Sequence, residues 1–450
     1  VFPLESLNKG TEIIEKLIKI LVLLLTPVLL FASHVIIAEF MDSCYLTLAH
    51  IYWIILGALT VIYIIKKGVN GIRFGRSARY FAAIAILVLY SLFSLRFAID
   101  FQTSLNQVVF QLFGAATVFY ITVFLKDEGD LKNFLRVMTV CLAITAVIGI
   151  YEMYSGNYLF DPSESMLSKV NVYGHKYPCV SFYNTNDLAT FFTLFSPFAI
   201  FALIDWVGGI AGKICGFALS VLVFMNLLGG RARISFGVIF SLSILILLVC
   251  LTVKNYRKFA SAALSFILGL PFAELILRLT EIKNGTLFTK IQTITRKDYS
   301  VNERLTIMIS GLRMSAAHLL TGVGVGNSVP LLPKYAEIRP INLHNTPLEI
   351  LAEFGIFIFL IYVLMVIFLA VDFYKKSRAN SRHGFFSILC LLMLLAFQFE
   401  SLQPSDALHI SVLWVLFGIL FAADKLLFNN DIPLENRQFS FKKLFNEECD

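Results

Sequence analysis

Charge is what this sequence has least of. Asp, Glu, Lys and Arg make up 15% of its 450 residues, where a water-soluble domain carries about a quarter. That scarcity excludes an ordinary soluble enzyme. Cysteine is also sparse, with seven residues scattered along the chain and no Cys-x-x-Cys pair. Neither a zinc site nor a disulfide framework is supported, and no metal or other cofactor is expected. Long-period repeats and low-complexity tracts are missing too, which excludes a solenoid. No segment reads as a soluble domain outside residues 277–345, and no nucleic-acid partner is expected.

What abounds is apolar. Hydrophobic residues reach 58%, Phe alone counts 43, and the mean hydropathy is +0.78. A bilayer core takes roughly 20 apolar helical residues. Runs of that kind fall at 16–38, 44–65, 80–97, 105–125, 133–154, 186–205, 211–229, 233–253, 259–276, 346–371, 384–400 and 407–427. The first has no small-residue cleavage site behind it and is read as a membrane helix rather than a signal peptide. The expected architecture is an all-α polytopic membrane protein with about twelve transmembrane helices. It forms a single integral membrane domain over 1–450.

Orientation follows from Lys and Arg in short loops. Lys66, Lys67, Arg73, Arg76 and Arg79 crowd one loop, Lys254, Arg257 and Lys258 another, and Lys375, Lys376, Arg378 and Arg382 a third. With twelve spans all three lie on one side, the cytoplasm, together with the charged tail 428–450. The large loop 277–345 then faces outward. It carries nine basic residues against four acidic ones. Such a loop is drawn to anionic headgroups or built for an anionic substrate.

Several groups of residues near the outer ends of spans could do chemistry. Gly229-Gly230-Arg231-Ala232-Arg233 makes a very short connection that sets Arg231 near the bilayer surface. A forked guanidinium there either snorkels to headgroups or grips a diphosphate. Ser300 and Glu303 have capping-box spacing, so a helix should start there. Leu305, Met308, Leu312, Ala316 and Leu319 would form its apolar face, and Arg304, Gly311, Ser315 and His318 the other. Gly322-Val323-Gly324-Val325-Gly326-Asn327 follows a helix rather than a strand, which argues against a nucleotide site. It reads as a close-packed turn, against a sugar or phosphate.

Farther on, Asn345 or Thr346 can cap a helix with Pro347 in its first turn. His344 stands just before that N-terminus, where imidazolium is disfavoured and a neutral, proton-accepting ring is favoured. Glu349 and Glu353 sit one turn apart just inside the membrane. Buried carboxylates need partners, and Arg is the natural one. Asn184, Asn186 and Asp187 open another span as helix caps. Arg96, Asp100, Glu400, Gln403 and Asp406 lie near span ends without a role. Glu128-Gly129-Asp130 reads as a solvated charge cluster.

These motifs, in this order, resemble the O-antigen ligase/polymerase family of bacterial membrane glycosyltransferases. The match rests on Glu303-Arg304-Leu305, the glycine string 322–327 and the run from His344-Asn345 to Phe354-Gly355. Gly230-Arg231-Ala232 and Phe182 to Asp187 resemble two further family motifs, with Gly230 and Thr185 departing from the usual residues. The similarity covers roughly 180–360.

The resemblance implies a GT-C-like fold in the bacterial cytoplasmic (inner) membrane, with an outward-facing site and a catalytic loop at 277–345. It implies transfer of a polyprenyl-diphosphate-linked glycan onto a hydroxyl of a glycan or glycolipid acceptor, without metal and with inversion. His344 would be the general base, and Arg231 and Arg304 would hold the diphosphate. Arg233, Arg313, Asn186, Asn345 and Glu349 would contact substrate or orient those groups. A chain-length regulator or a flippase would suit as partner protein. Twelve spans also suit a flippase or transporter of lipid-linked oligosaccharide. Such a protein usually keeps its charges near the membrane midplane, at broken helices.

Overall fold

A computed structural model describes residues 4–41, 44–160, 176–182, 184–230, 232–280, 299–318, 320–335, 342–378, 382–403, 406 and 408–427. Arg231, the tail 428–450 and residues 281–298 and 336–341 of the large loop lie outside the described residues. The chain is helical almost throughout: α1 (Leu4–Leu23), α2 (Leu25–Phe31), α3 (Leu48–Lys67), α4 (Ala78–Ser94), α5 (Phe101–Phe124), α6 (Glu128–Ser155), α7 (Thr185–Val207), α8 (Gly209–Gly229), α9 (Arg233–Thr252), α10 (Ala260–Leu279), α11 (Tyr299–Ala317), α12 (Ser328–Leu331), α13 (Thr346–Glu349), α14 (Gly355–Ser377), α15 (Arg382–Glu400) and α16 (Trp414–Leu427). Among the described residues, ten helical segments are long and apolar enough to cross a membrane: α3 to α10, the run holding α13 and α14, and α15. The chain is an all-α polytopic membrane protein.

The first and last apolar runs differ from expectation. The first helix begins at Leu4, breaks at Leu24, and gives way after His34 to an antiparallel hairpin, β1 (Ile36–Met41) with β2 (Cys44–Thr47). Residues 36–38 and 44–47 are therefore strand, not membrane helix. Consecutive Val35, Ile36 and Ile37 favour extended backbone through their branched Cβ atoms. The last helix starts only at Trp414, after a 3-10 turn at Ser411–Leu413. The expected span 407–427 is thus shorter, and turns at 401–403 and 408–409 precede it.

The span drawn at 346–371 is bent. Thr346 and Ile350 line the same cavity as Ile358, Tyr362 and Met365. In a straight helix Thr346 and Met365 would stand about 28 Å apart. The chain turns at Gly355, whose φ of 80° and ψ of 176° no helix allows. Ile350–Phe354 form a π-turn before it, so α13 and the π-turn lie beside α14, not in line with it.

The three basic loops do share one end of the bundle. Arg76 and Arg79 both pair with Asp372, and Tyr256 donates to the Ser377 carbonyl at 2.5 Å. Glu15 pairs with Lys67 and Lys126 there, and Lys19 with Asp130. Glu128 meets His383 and Asp127 caps α6, so the acidic cluster 127–130 is structural. Lys425 is buried and donates to the Thr122, Val123 and Leu125 carbonyls, closing the C-terminus of α5.

The core runs along α7 and α16, where Phe191, Phe192, Phe195 and Phe198 are fully enclosed. In lipid the hydrophobic drive between helices fades, and close packing carries the association.

Candidate active site at the end opposite the basic loops

The end opposite the basic loops collects most of the residues singled out from sequence. Asn184 caps α7, accepting from the N–H groups of Asn186 (2.9 Å) and Asp187 (3.0 Å). Asn345 caps α13, accepting from the Leu348 N–H at 3.0 Å, with Pro347 in the first turn. His344 precedes that cap, half-buried, in a left-handed backbone conformation (φ 49°). Non-glycine residues seldom adopt it outside functional or strained sites. Asp100 caps α5 at the rim, where the Thr103 hydroxyl and N–H hold its carboxyl below the usual carboxylate range.

The segment 400–409, which sequence left without a role, joins these parts. Glu400 is fully buried and accepts from Ser235 at 2.7 Å, two residues into the helix that Arg233 opens. The Leu402 carbonyl accepts from Arg304 at 2.6 Å. Gln403 donates to Asn186. One turn therefore gathers Asn186, Arg304 and the helix start bearing Arg233. Gly230 lies against Pro178 and against Thr185, the neighbour of Asn186.

Farther along, Asp406 hydrogen-bonds the Glu349 carboxyl and pairs with His409 at 2.5 Å. Glu353, fully buried, accepts from the Ser328 hydroxyl at 2.6 Å. The partners found for Glu349 and Glu353 are therefore Asp406 and Ser328, not the expected Arg. The π-turn re-aims both side chains, so simple one-turn spacing misplaces them.

The glycine string supports this geometry from behind. Gly322, Gly324 and Gly326 are all left-handed, and residues 323–328 are buried. Val323 and Gly324 donate their N–H groups to the Ala352 and Glu353 carbonyls, each at 2.9 Å. Ile356 returns a bond to the Leu320 carbonyl at 2.7 Å. The string thus satisfies carbonyls at the π-turn. With those N–H groups committed, it is a close-packed turn against protein.

Helix α11 roofs the site with the face that holds Ser310, Gly311, Met314 and Ser315. Ile307, Ser310, Gly311, Met314 and Ser315 are buried, whereas Leu305 and Leu312 are more than half exposed. At Gly311 the backbone sits directly on Leu343 and Leu348. The described part of this helix runs from Tyr299, so Ser300 lies within it. The outward apolar stripe suits a helix lying in the membrane interface. Arg313 is exposed, away from the packed face, and the structure does not bring it to the other candidates.

An apolar cleft lies beneath, walled by side chains from α4, α14, α15 and α16. Thr346, Ile350 and Leu408 reach it from the site. Among the described residues, no cluster of His, Cys, Asp and Glu has the arrangement of a metal site.

Residues 218–363 match the family model for O-antigen ligase. The resemblance carried by the motifs is thus supported by the part of the chain that builds this site. The O-antigen ligase match takes in Arg231, Arg233, Arg304, Arg313, His344, Asn345 and Glu349. It stops short of Asn186 and of the 400–409 segment. The chain is also 26% identical over 358 residues to the teichuronic acid biosynthesis protein TuaE of Bacillus subtilis (strain 168), covering 76% of this chain and 71% of that protein. Together these similarities support a membrane polysaccharide ligase or polymerase.

Proposed function

We propose that the protein transfers a polyprenyl-diphosphate-linked glycan onto a sugar hydroxyl at the outer face of the bacterial cytoplasmic membrane. It would act as a surface-polysaccharide polymerase or an O-antigen-type ligase. The observation that carries this reading is coincidence: the O-antigen ligase match spans the residues that supply His344, Arg304 and the bent helix behind them. The basic loops at the other end support placing the site outside, by the positive-inside rule.

In this mechanism His344 takes the proton of the acceptor hydroxyl. The freed oxygen attacks the anomeric carbon of the donor from the face opposite the diphosphate. A C–O bond forms, the bond to the diphosphate oxygen breaks, and its electron pair leaves with the diphosphate. The configuration inverts. Arg231 and Arg304 hold the leaving group and stabilise its growing charge, which forked guanidinium groups do better than point charges. Arg233 and Arg313 are second-tier contacts for phosphate or glycan, and Asn186, Asn345 and Glu349 position them or the substrate. No metal enters these steps. The outer loop 277–345 would shelter the reaction, and a chain-length regulator or flippase would act beside it.

A second reading gains support from the bent helix. Buried Glu349, Glu353 and Asp406 beside a broken helix are features of transporters, so a lipid-linked-oligosaccharide flippase remains the alternative. One reconstituted assay separates the two. Wild-type and His344→Ala protein in vesicles receive a polyprenyl-diphosphate-linked oligosaccharide, with and without a separate acceptor lipid. A ladder of longer lipid-linked products from wild type alone marks a polymerase using His344. Product on the separate acceptor alone marks a ligase. Donor moved across the membrane without any product marks a flippase and ends the transfer mechanism.

A further inference from the structure

The outer site divides electrically along the 400–409 segment. Arg304 binds its beginning, at Leu402, and Arg233 opens the helix whose Ser235 binds Glu400. The other part holds Glu349, Glu353, Asp406 and His409. A diphosphate belongs with the guanidinium groups, since carboxylates repel it. The carboxyl-rich half needs a ligand without negative charge that can both donate and accept hydrogen bonds.

Two buried polar atoms in that half point to such a ligand. The Thr346 hydroxyl, on a residue 1% exposed, has no hydrogen-bond partner among the described residues. The second carboxyl oxygen of fully buried Glu353 has none either. An unmade hydrogen bond in an apolar setting is costly, and native proteins hold few of them. Both residues belong to the bent segment that Asp406 grips through Glu349. Thr346 and Leu408 line one cavity. The neighbouring His409 ring has its Nδ1 on Asp406 and its side chain is 28% exposed, which leaves Nε2 as the ring nitrogen to meet a ligand.

The charges that face His409 are few. Asp406 is on its own segment, and Glu349 and Glu353 stand on the bent segment. Helices α2 and α5 pack against the turn that follows it. Neither carries a charged residue between its ends, and α5 offers only the edge of Phe110, 5.3 Å away.

We propose that Thr346, Glu353, Asp406 and His409 form a subsite for uncharged sugar hydroxyls, where the acceptor glycan binds. This rests on the glycosyl-transfer reading. Thr346 and His409 hydrogen-bond hydroxyls of the acceptor, Glu353 accepts from one, and Asp406 positions His409. The Arg half keeps the donor diphosphate.

The test is a kinetic split. Wild type, Thr346→Val and His409→Gln are assayed with the lipid-linked oligosaccharide as donor and the same oligosaccharide freed of lipid as acceptor. Loss of one hydrogen bond should raise the acceptor KM about five- to tenfold in each variant. The donor KM should stay within about twofold. A thermal melt accompanies each variant. If the Thr346 hydroxyl were only structural, Thr346→Val would lower the melt and leave the acceptor KM unchanged.

An unchanged acceptor KM in both variants overturns the subsite, as does a rise confined to the donor KM. If wild type makes no product, the transfer reading fails, and calorimetric titration with the free oligosaccharide decides the subsite alone. Binding by wild type that Thr346→Val weakens upholds a sugar subsite, and no binding overturns it.

Discussion

Replacing Gly322 with alanine should unfasten the bent helix. A Cβ there would stand 2.6 Å from the Glu353 carbonyl oxygen, 2.7 Å from the Gly355 nitrogen and 2.8 Å from the Phe354 carbonyl carbon. All three are backbone atoms, so no side chain can swing aside. The left-handed conformation (φ 86°) adds about 1 kcal/mol for a residue with a Cβ. Pushing the strands apart breaks the bonds from Val323 and Gly324 to the π-turn, at about 1 kcal/mol each. A carbonyl left unpaired in an apolar surround costs roughly another 1 to 3 kcal/mol. The expected loss is about 4 to 6 kcal/mol, a thousandfold or more in the folding equilibrium. Unfolding in mixed detergent–SDS micelles, followed by circular dichroism, measures it. Gly57→Ala is the control: it lies within α3 with nothing within 4 Å of the added Cβ and should gain up to about 1 kcal/mol in helix propensity. A Gly322→Ala protein within about 0.5 kcal/mol of wild type, where unremarkable surface changes fall, refutes the idea that the glycine string secures the site.

Arg304→Ala should cut the transfer rate about a hundredfold or more, the usual loss on removing one donor to a developing anion; near-wild-type turnover in the reconstituted assay would leave Arg304 a tether to Leu402. Transfer should proceed in excess chelator, and activity lost there but restored by a divalent ion would overturn the metal-free mechanism. At the basic end, burial alone would push the Glu15 carboxyl up, but Lys126 and Lys67 outweigh it and hold it at about 2, against 4.5 for the free group. Its contribution to stability is therefore complete above pH 4.5 and lost as the pH falls toward 2. Glu15→Gln should flatten that part of the stability curve, and an unaltered acid transition in the variant would refute the linkage.

Local chemistry was readable where a motif acts on its own neighbours. The caps at Asn184 and Asn345 and the proline after Asn345 answer to orphan N–H groups a few residues away, and the structure shows each one. Positive charge in short loops was likewise enough to set three loops on one end. Hydropathy failed where an apolar run conceals a change of direction. Ile350–Phe354 and Ile356 onward are equally apolar, so the break at Gly355 left no trace in a sliding window. The same holds for residues 407–413, which merge in composition with α16. For α11, helical periodicity marked an apolar stripe, but in a membrane protein such a stripe faces lipid as readily as protein, and Leu305 and Leu312 face out. The roles of Glu400, Gln403 and Asp406 depend on contacts with residues 57 to 217 positions away, which no local pattern encodes. Their one visible signal was acid or amide beside an apolar run.

The 400–409 segment touches the guanidinium side through Leu402 and the carboxyl side through Asp406. Leu402 and Asp406 stand four positions apart on one chain, so a ligand that displaces one of them bears on the other. Occupancy of one side then carries a free-energy term into the other, and that term is the same in both directions. Donor and acceptor should therefore not bind as strangers: whichever arrives first sets the affinity of the second, and the order of addition should be visible in the initial rates.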